Sequence, residues 1–441
     1  MHSRTTRLSS IVAAAAVGVL TLAACSGGSP SGGGSGTDGG SSGGTTDSLT
    51  LHTSWLDGEP RTGQLRKVLE EFTAETGITV ELLQNGNELN QVYETAVLAG
   101  DEADVVLTNL TDKQLEWAKS GAVAPVNDYI EAWGLADVIP EDAVTDWTDG
   151  EGNVRGFPYT GFSWPVWYNT DLLDKAGVTE IPRTIDELVA AADALRAAGI
   201  QPLTIGGSDW SGQKMLLMVV QSMMTNDEAR EVLVNGGYCE SPNAMAGIEL
   251  FVELRDAGVF ADGAEGLTAD LSTAAYLEGQ AGIGFIGSWA FLDATDELAA
   301  STTLGGFPLA DGSPFDKPTA FRGLTGGGWY VSQNGLDKLD AVEKLVTYMY
   351  REDVLGQIID QTAVITVVPV APEVAANAGN ELMAAALSTL PDEVDFPVMP
   401  DTYVPGAVAE PMYRASSQAF SPGTDAAAVC KALDDAYASV S

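Results

Sequence analysis

Any chemistry in this chain must be built from 62 Asp and Glu, nine Trp, three Cys and two His. A nucleophile of the Ser-His-Asp or Cys-His kind needs an imidazole base. Beyond His2 the sole imidazole is His52, inside the alternating run Leu49-Thr50-Leu51-His52 that reads as a strand, so such a catalyst is disfavoured. Zinc needs Cys or His at ligand spacing, and Cys25, Cys239, Cys430 and His52 show none. Asp146, Asp149, Glu151 and Asn153 lie close together but lack the register and closing Glu of an EF-hand, so they read as a turn before Phe157. No G-x-x-x-x-G-K-S/T loop occurs, which argues against an ATPase, and no cofactor is expected. Glycoside hydrolysis stays open: it asks only for two carboxylates roughly 5 to 10 Å apart, and a chain so rich in acids offers many pairs.

Charge narrows the partners. Against the acids stand 21 Lys and Arg, and the formal charge of −41 repels nucleic-acid phosphates and anionic membrane surfaces. The acids are spread along the chain rather than gathered in a block, so they read as a solvated surface. With 441 residues and 45% hydrophobic content the chain can bury two cores, and two lobes are expected.

At the start, Arg4 and Arg7 precede an apolar stretch over residues 11–20 that is too short to span a bilayer and has the layout of an export signal. Leu22-Ala23-Ala24-Cys25 resembles the bacterial lipobox, which implies removal of residues 1–24, a diacylglyceryl group on the Cys25 thiol, and attachment to the outer face of the cell membrane. The Ser/Gly-rich residues 25–47 fit a flexible tether. Export permits a disulfide between Cys239 and Cys430; two separate buried thiols are the alternative, because bridging needs Cα atoms within about 7 Å.

The elements that would position any site alternate between strand and helix. Strands are expected at residues 49–52, 78–83, 103–107, 164–168 and 202–205. Helices are expected at 63–76, 92–98, 185–198, 244–257, 336–350 and 426–437, several of them stopped by a glycine such as Gly77, Gly100 or Gly199. That alternation implies α/β lobes on mostly parallel sheets, with ligand beyond the carboxyl ends of the strands.

Gly156-Phe157-Pro158-Tyr159 is followed by Trp167-Tyr168-Asn169-Thr170-Asp171-Leu172-Leu173 and then by Pro182-Arg183-Thr184-Ile185-Asp186-Glu187-Leu188. These segments resemble the G-x-P, Y-N-x-D-L and P-x-T-x-x-E-L segments of family 1 extracellular solute-binding proteins, the maltose-binding-protein-like sugar receptors of ABC importers. Residues 115–130, Glu278-Gly279-Gln280-Ala281-Gly282-Ile283 and Gly287-Ser288-Trp289 add weaker matches, and the resemblance runs from about residue 49 to 438.

The resemblance implies a two-lobed α/β fold of the periplasmic-binding-protein type II-like kind, with a ligand cleft between lobes joined by crossing hinge segments. The crossings would lie near residues 159–162, 320–327 and 371–390. One lobe would comprise residues 48–160 with about 326–375, the other 161–325 with about 376–441. It also implies a monomeric, non-enzymatic receptor that captures a mono- or oligosaccharide and delivers it to ABC permease subunits. A peptide or amino-acid binder is the alternative beside the hydrolase.

A sugar offers apolar C–H faces and many hydroxyls, so its site needs aromatic platforms with carboxylates or amides beside them. In the loops that the resemblance turns toward the cleft, the candidates are Trp55, Asp57 and Glu59 after the first strand, Asn109 after the third, and Trp164 after the first crossing. Asp209 and Trp210 follow the turn Gly206-Gly207. Trp289 stands where the maltose-binding-protein-like members have a stacking Trp. Gly327, within Gly326-Gly327-Gly328, would offer backbone amides with no Cβ in the way, and Trp329 follows it as cleft or core. Where those members carry a late stacking aromatic, residues 404–409 have none, and Tyr403 is the nearest substitute.

Overall fold

A computed structural model of the chain describes residues 48–362, 364–368 and 381–440. The export signal, the tether with Cys25 and the first half of the third expected crossing, residues 371–380, lie outside the described residues. Ten strands are present among them: β1 (Ser48–Thr53), β2 (Thr79–Gln84), β3 (Val105–Thr108), β4 (Phe157–Trp164), β5 (Val166–Asn169), β6 (Gln201–Thr204), β7 (Ala281–Phe285), β8 (Thr302–Gly305), β9 (Phe321–Val331) and β10 (Ile365–Thr366). They form a six-stranded sheet in the order β10-β4-β9-β3-β1-β2 and a four-stranded sheet in the order β6-β7-β5-β8, the frames of two α/β lobes.

The sheets are not mostly parallel. Only β1–β2, β1–β3 and β6–β7 pair parallel, while β3–β9, β4–β9, β4–β10, β5–β7 and β5–β8 are antiparallel. The reason lies in β4 and β9. At one end Phe157 pairs with Trp329, and both sink into the core of the six-stranded lobe; at the other Trp164 pairs with Phe321, and both sink into the core of the four-stranded lobe. β4 and β9 thus carry the chain between the lobes in opposite directions, and these two passages pair antiparallel. Register shifts between Pro158 and Thr160 and between Thr160 and Phe162 bend the ladder on the way.

Local signals fix the flanking helices. Pro60 opens the helix Pro60–Thr76, and Gly77 ends it at φ 77°. Thr184 and Glu187 form a reciprocal capping box at the start of Ile185–Ala197. Two expectations need correction. The single aromatic strand over residues 164–168 is two strands interrupted at Pro165, which has no N–H for a ladder, and the long helix over 336–350 is a short turn, Gln333–Leu336, followed by Leu339–Met349.

In the four-stranded lobe, the helices Trp210–Gln221, Pro242–Asp256, Gly406–Phe420 and Ala426–Ala438 share one apolar core. Cys239 and Cys430 are joined by a disulfide with Cα atoms 5.2 Å apart, tying the turn before Pro242–Asp256 to the last helix. The Asp434 carboxylate secures the same turn by accepting from the backbone N–H groups of Gly237, Tyr238 and Cys239. Among the described residues no helix is long and apolar enough to cross a membrane.

Candidate ligand cleft

A cavity of about 420 Å³ opens between the lobes, lined from one side by the loops after β1 and β3 and from the other by the end of β4, the start of Trp210–Gln221, the turn Ser288–Asp293 and the helix Gly406–Phe420. Its volume lies within the range of small-molecule sites, about 300 to 1,000 Å³. One wall is aromatic. Trp164 ends β4, is nearly fully buried, and stacks on Phe285 with ring centres 5.0 Å apart and planes 15° apart. Over it stand Trp210 at 5.4 Å and Trp289 at 5.1 Å, which meet each other at 5.8 Å in an edge-on pair. Trp210 and Trp289 remain 37% and 40% exposed, so a buried ring holds two that face open space. Phe162 completes the wall at 6.1 Å from Trp289. The Trp164 Nε1 is buried with no hydrogen-bond partner among the described residues.

Polar groups complete the lining. Lys214 Nζ lies 2.9 Å from Asp401 Oδ1 and 2.9 Å from Gln213 Oε1, and Thr325 Oγ1 donates to Asp401 Oδ2 at 3.3 Å. Tyr413 Oη donates to Asp112 Oδ1 at 2.7 Å. Burial pushes the Asp112 carboxyl up, partly offset by that hydroxyl and by Lys214, and burial also pushes the Tyr413 phenol up. Arg61 lies 5.3 Å above the Trp55 ring and pairs with Glu59 at 2.5 Å. Lys214 and Arg61, the cations lining the cavity, therefore both carry an acidic partner.

Five of the ten candidate ligand residues come together here: Trp55, Asn109, Trp164, Trp210 and Trp289 all line the cavity. The other five are placed elsewhere. Asp57 points into solvent and pairs with Arg66, while Glu59 serves Arg61. Asp209 caps the helix that begins at Trp210: its Oδ1 accepts from the Ser211 N–H and hydroxyl, and its Oδ2 accepts from the Ala269 N–H. Gly327 sits opposite Thr160 in the β4–β9 ladder, where a Cβ would stand 2.6 Å from Thr160 Oγ1, so the missing side chain serves strand packing rather than ligand access. Trp329 is fully buried, edge-on to Tyr159. Tyr403 lines a separate, smaller cavity behind β9.

Sequence reasoning missed Asp112, Phe162, Lys214, Asp401 and Tyr413. Two of them carry a readable signal. Lys214 is one helical turn beyond Trp210, a cation in an otherwise buried helix, and i, i+4 residues share a face. Tyr413 flanks the buried stripe Val408, Ala409, Met412, Ala415, Ala419 of its helix, and supplies a late aromatic about one turn after the stretch in which one was sought.

A family model described as bacterial extracellular solute-binding protein matches residues 31–355. The chain is 30% identical over 241 residues to a probable sugar-binding periplasmic protein of Rhizobium meliloti, a match covering 52% of this chain and 55% of that protein. The chain spans about half the length of the curated relatives it matches first. It is similar to a solved structure of a probable secreted solute-binding lipoprotein from Streptomyces coelicolor, with 42% identity, a TM-score of 0.78, and coverage of 89% of this chain and 99% of that one. Maltose-bound MalE3 of T. maritima, 18% identical with a TM-score of 0.71 over 89% of this chain and 100% of that one, shares the fold.

Proposed function

The chain belongs to the bacterial extracellular solute-binding proteins, a family of binding proteins and not of enzymes, and from that premise we propose that it is a lipid-anchored carbohydrate receptor of an ABC-type importer. The observation that carries the reading is the joint lining of one cavity: the exposed faces of Trp210 and Trp289 over buried Trp164, together with the polar groups of Asn109, Asp112, Asp401 and Tyr413. Rings of this kind stack on the C–H face of a sugar, and the polar groups accept from or donate to its hydroxyls. The names of the Rhizobium relative and the Streptomyces lipoprotein point the same way.

In this reading residues 1–24 are the export signal, Cys25 carries the lipid, residues 25–47 are the tether, and the receptor acts as a monomer at the outer face of the cell membrane. The lobes comprise 48–160 with about 326–375 and 161–325 with about 376–441, and they close on a mono- or oligosaccharide that then passes to ABC permease subunits. Trp55, Asn109, Trp164, Trp210 and Trp289 are the contacts we assign to the ligand.

Two experiments test the proposal. Tryptophan fluorescence of the protein titrated with neutral sugars, amino acids and short peptides should respond saturably to one sugar class; a response confined to amino acids or peptides, or consumption of an oligosaccharide, overturns it. Mass spectrometry of the membrane-extracted chain should find diacylglyceryl on Cys25 and none in Cys25→Ala; an unmodified Cys25 removes the anchor.

A further inference from the structure

Asp112 is the one non-glycine residue with a left-handed backbone among the described residues, at φ 48°. Asp tolerates that region better than most L residues, yet it is held there when its surroundings dictate it. The surroundings of Asp112 come from the opposite lobe. Its side chain accepts from Tyr413 Oη at 2.7 Å. Its carbonyl oxygen abuts Gly406, where a Cβ would stand 2.4 Å away, so the helix Gly406–Phe420 can seat on this loop only because it begins with a glycine. Lys214, Asp401 and Glu410, all of that lobe, act on the carboxylate through their charges. On its own side, Lys113 is turned to Glu94, and Glu116 follows on the next helical turn.

Asp112 and Tyr413 also line the cavity. Asp112 Oδ1 takes the Tyr413 hydroxyl, and the second oxygen has no protein donor among the described residues. We infer that Asp112 is the positioning residue through which occupancy of the cleft is tied to closure of the lobes: its backbone and carboxylate dock on the start of the Gly406–Phe420 helix while the same carboxylate faces the ligand. This deepens, and rests on, the reading of the chain as a two-lobed receptor. A ligand that bonds the free oxygen gains that contact fully only when the loop is docked, and a differential contact of this kind is what shifts an opening equilibrium.

The test reads lobe separation directly and needs no ligand. Spin labels on the intact chain at Leu98, 90% exposed on the six-stranded lobe, and Leu271, 56% exposed on the other, report the distance distribution by pulsed electron resonance. The wild type should populate a narrow separation. Gly406→Ala, which adds a Cβ away from the cavity lining, should raise the ratio of wide to narrow at least tenfold, and Tyr413→Phe should raise it about five- to tenfold, the loss of one hydrogen bond. Asp112→Ala, which removes both the acceptor and the residue type that tolerates the left-handed backbone, should raise it at least as far as Tyr413→Phe. Distributions for Gly406→Ala and Tyr413→Phe identical to wild type, or a wild type with no narrow population, overturn the inference. Because no sugar enters the measurement, its failure is distinct from failure of the carbohydrate reading.

Discussion

Lys214 Nζ sits 2.9 Å from Asp401 Oδ1 with both side chains less than a tenth exposed, where the helix Trp210–Gln221 meets the turn Pro400–Thr402 and β9 passes with Thr325. A buried pair contributes little net stability, but removing one partner strands the other charge. Lys214→Met should therefore destabilise the protein by about 3 to 5 kcal/mol in urea unfolding, and adding Asp401→Leu should recover most of that loss. Equal stability of the single variant and the wild type would mean that the pair is solvated.

Trp164 and its two neighbours should separate stability from binding. Trp164→Ala empties a buried site and should cost about 3 to 5 kcal/mol of folding stability. Trp210→Ala and Trp289→Ala remove half-exposed rings and should cost about 1 kcal/mol or less each, measured in the same titrations. A large loss of stability from Trp289→Ala would recast it as a core residue.

The Cys239–Cys430 bond closes a loop of 191 residues in sequence separation. Replacing both cysteines with serine should lower stability by about 2 to 5 kcal/mol. The turn retains the three N–H bonds to Asp434, and neither cysteine lines the cavity, so ligand affinity should stay unchanged. Loss of affinity at a temperature where the variant is folded would contradict this.

Asp146, on the helix Glu141–Trp147, titrates at about 6, raised by burial and then by Asp142, with Arg230 opposing. Its folded value is above its unfolded one, so its contribution to stability is fully present below the unfolded value and is lost as pH rises through about 6. Discounting for its partial exposure, Asp146→Asn should exceed the wild type by about 1 kcal/mol at pH 7.5 and match it near pH 4. A difference independent of pH would show that the carboxyl is not perturbed.

Much of the frame was legible because local signals and tertiary demands agree. The Gly77 and Gly100 stops, the helix expected over 185–198 and the apolar spacing of Ala426–Ala438 were read in order, whereas the first helix starts at Pro60, three residues before its expected start. Sheet direction was not, because strand–helix alternation says nothing about β4 and β9, whose antiparallel pairing follows from crossing between lobes. In the cleft, Trp residues announce themselves by type, but type does not separate Trp289, which lines the cavity, from Trp329 in the core, since both follow glycine-containing segments. The acids were the least legible: Asp57, Glu59 and Asp209 hold neighbours, while Asp112 and Asp401 enter the cavity through a backbone turn and a buried Lys that no sequence period encodes.

The most direct test of the receptor reading is the melting temperature of the wild type and of Trp210→Ala/Trp289→Ala across a panel of mono- and oligosaccharides, amino acids and peptides. A ligand at 100 times its dissociation constant adds about 2.7 kcal/mol to the stability of the state that binds it. The account predicts a clear upward shift with one sugar class that disappears in the double variant while the fold is retained. No shift with any sugar, or a shift that persists without both rings, would contradict it.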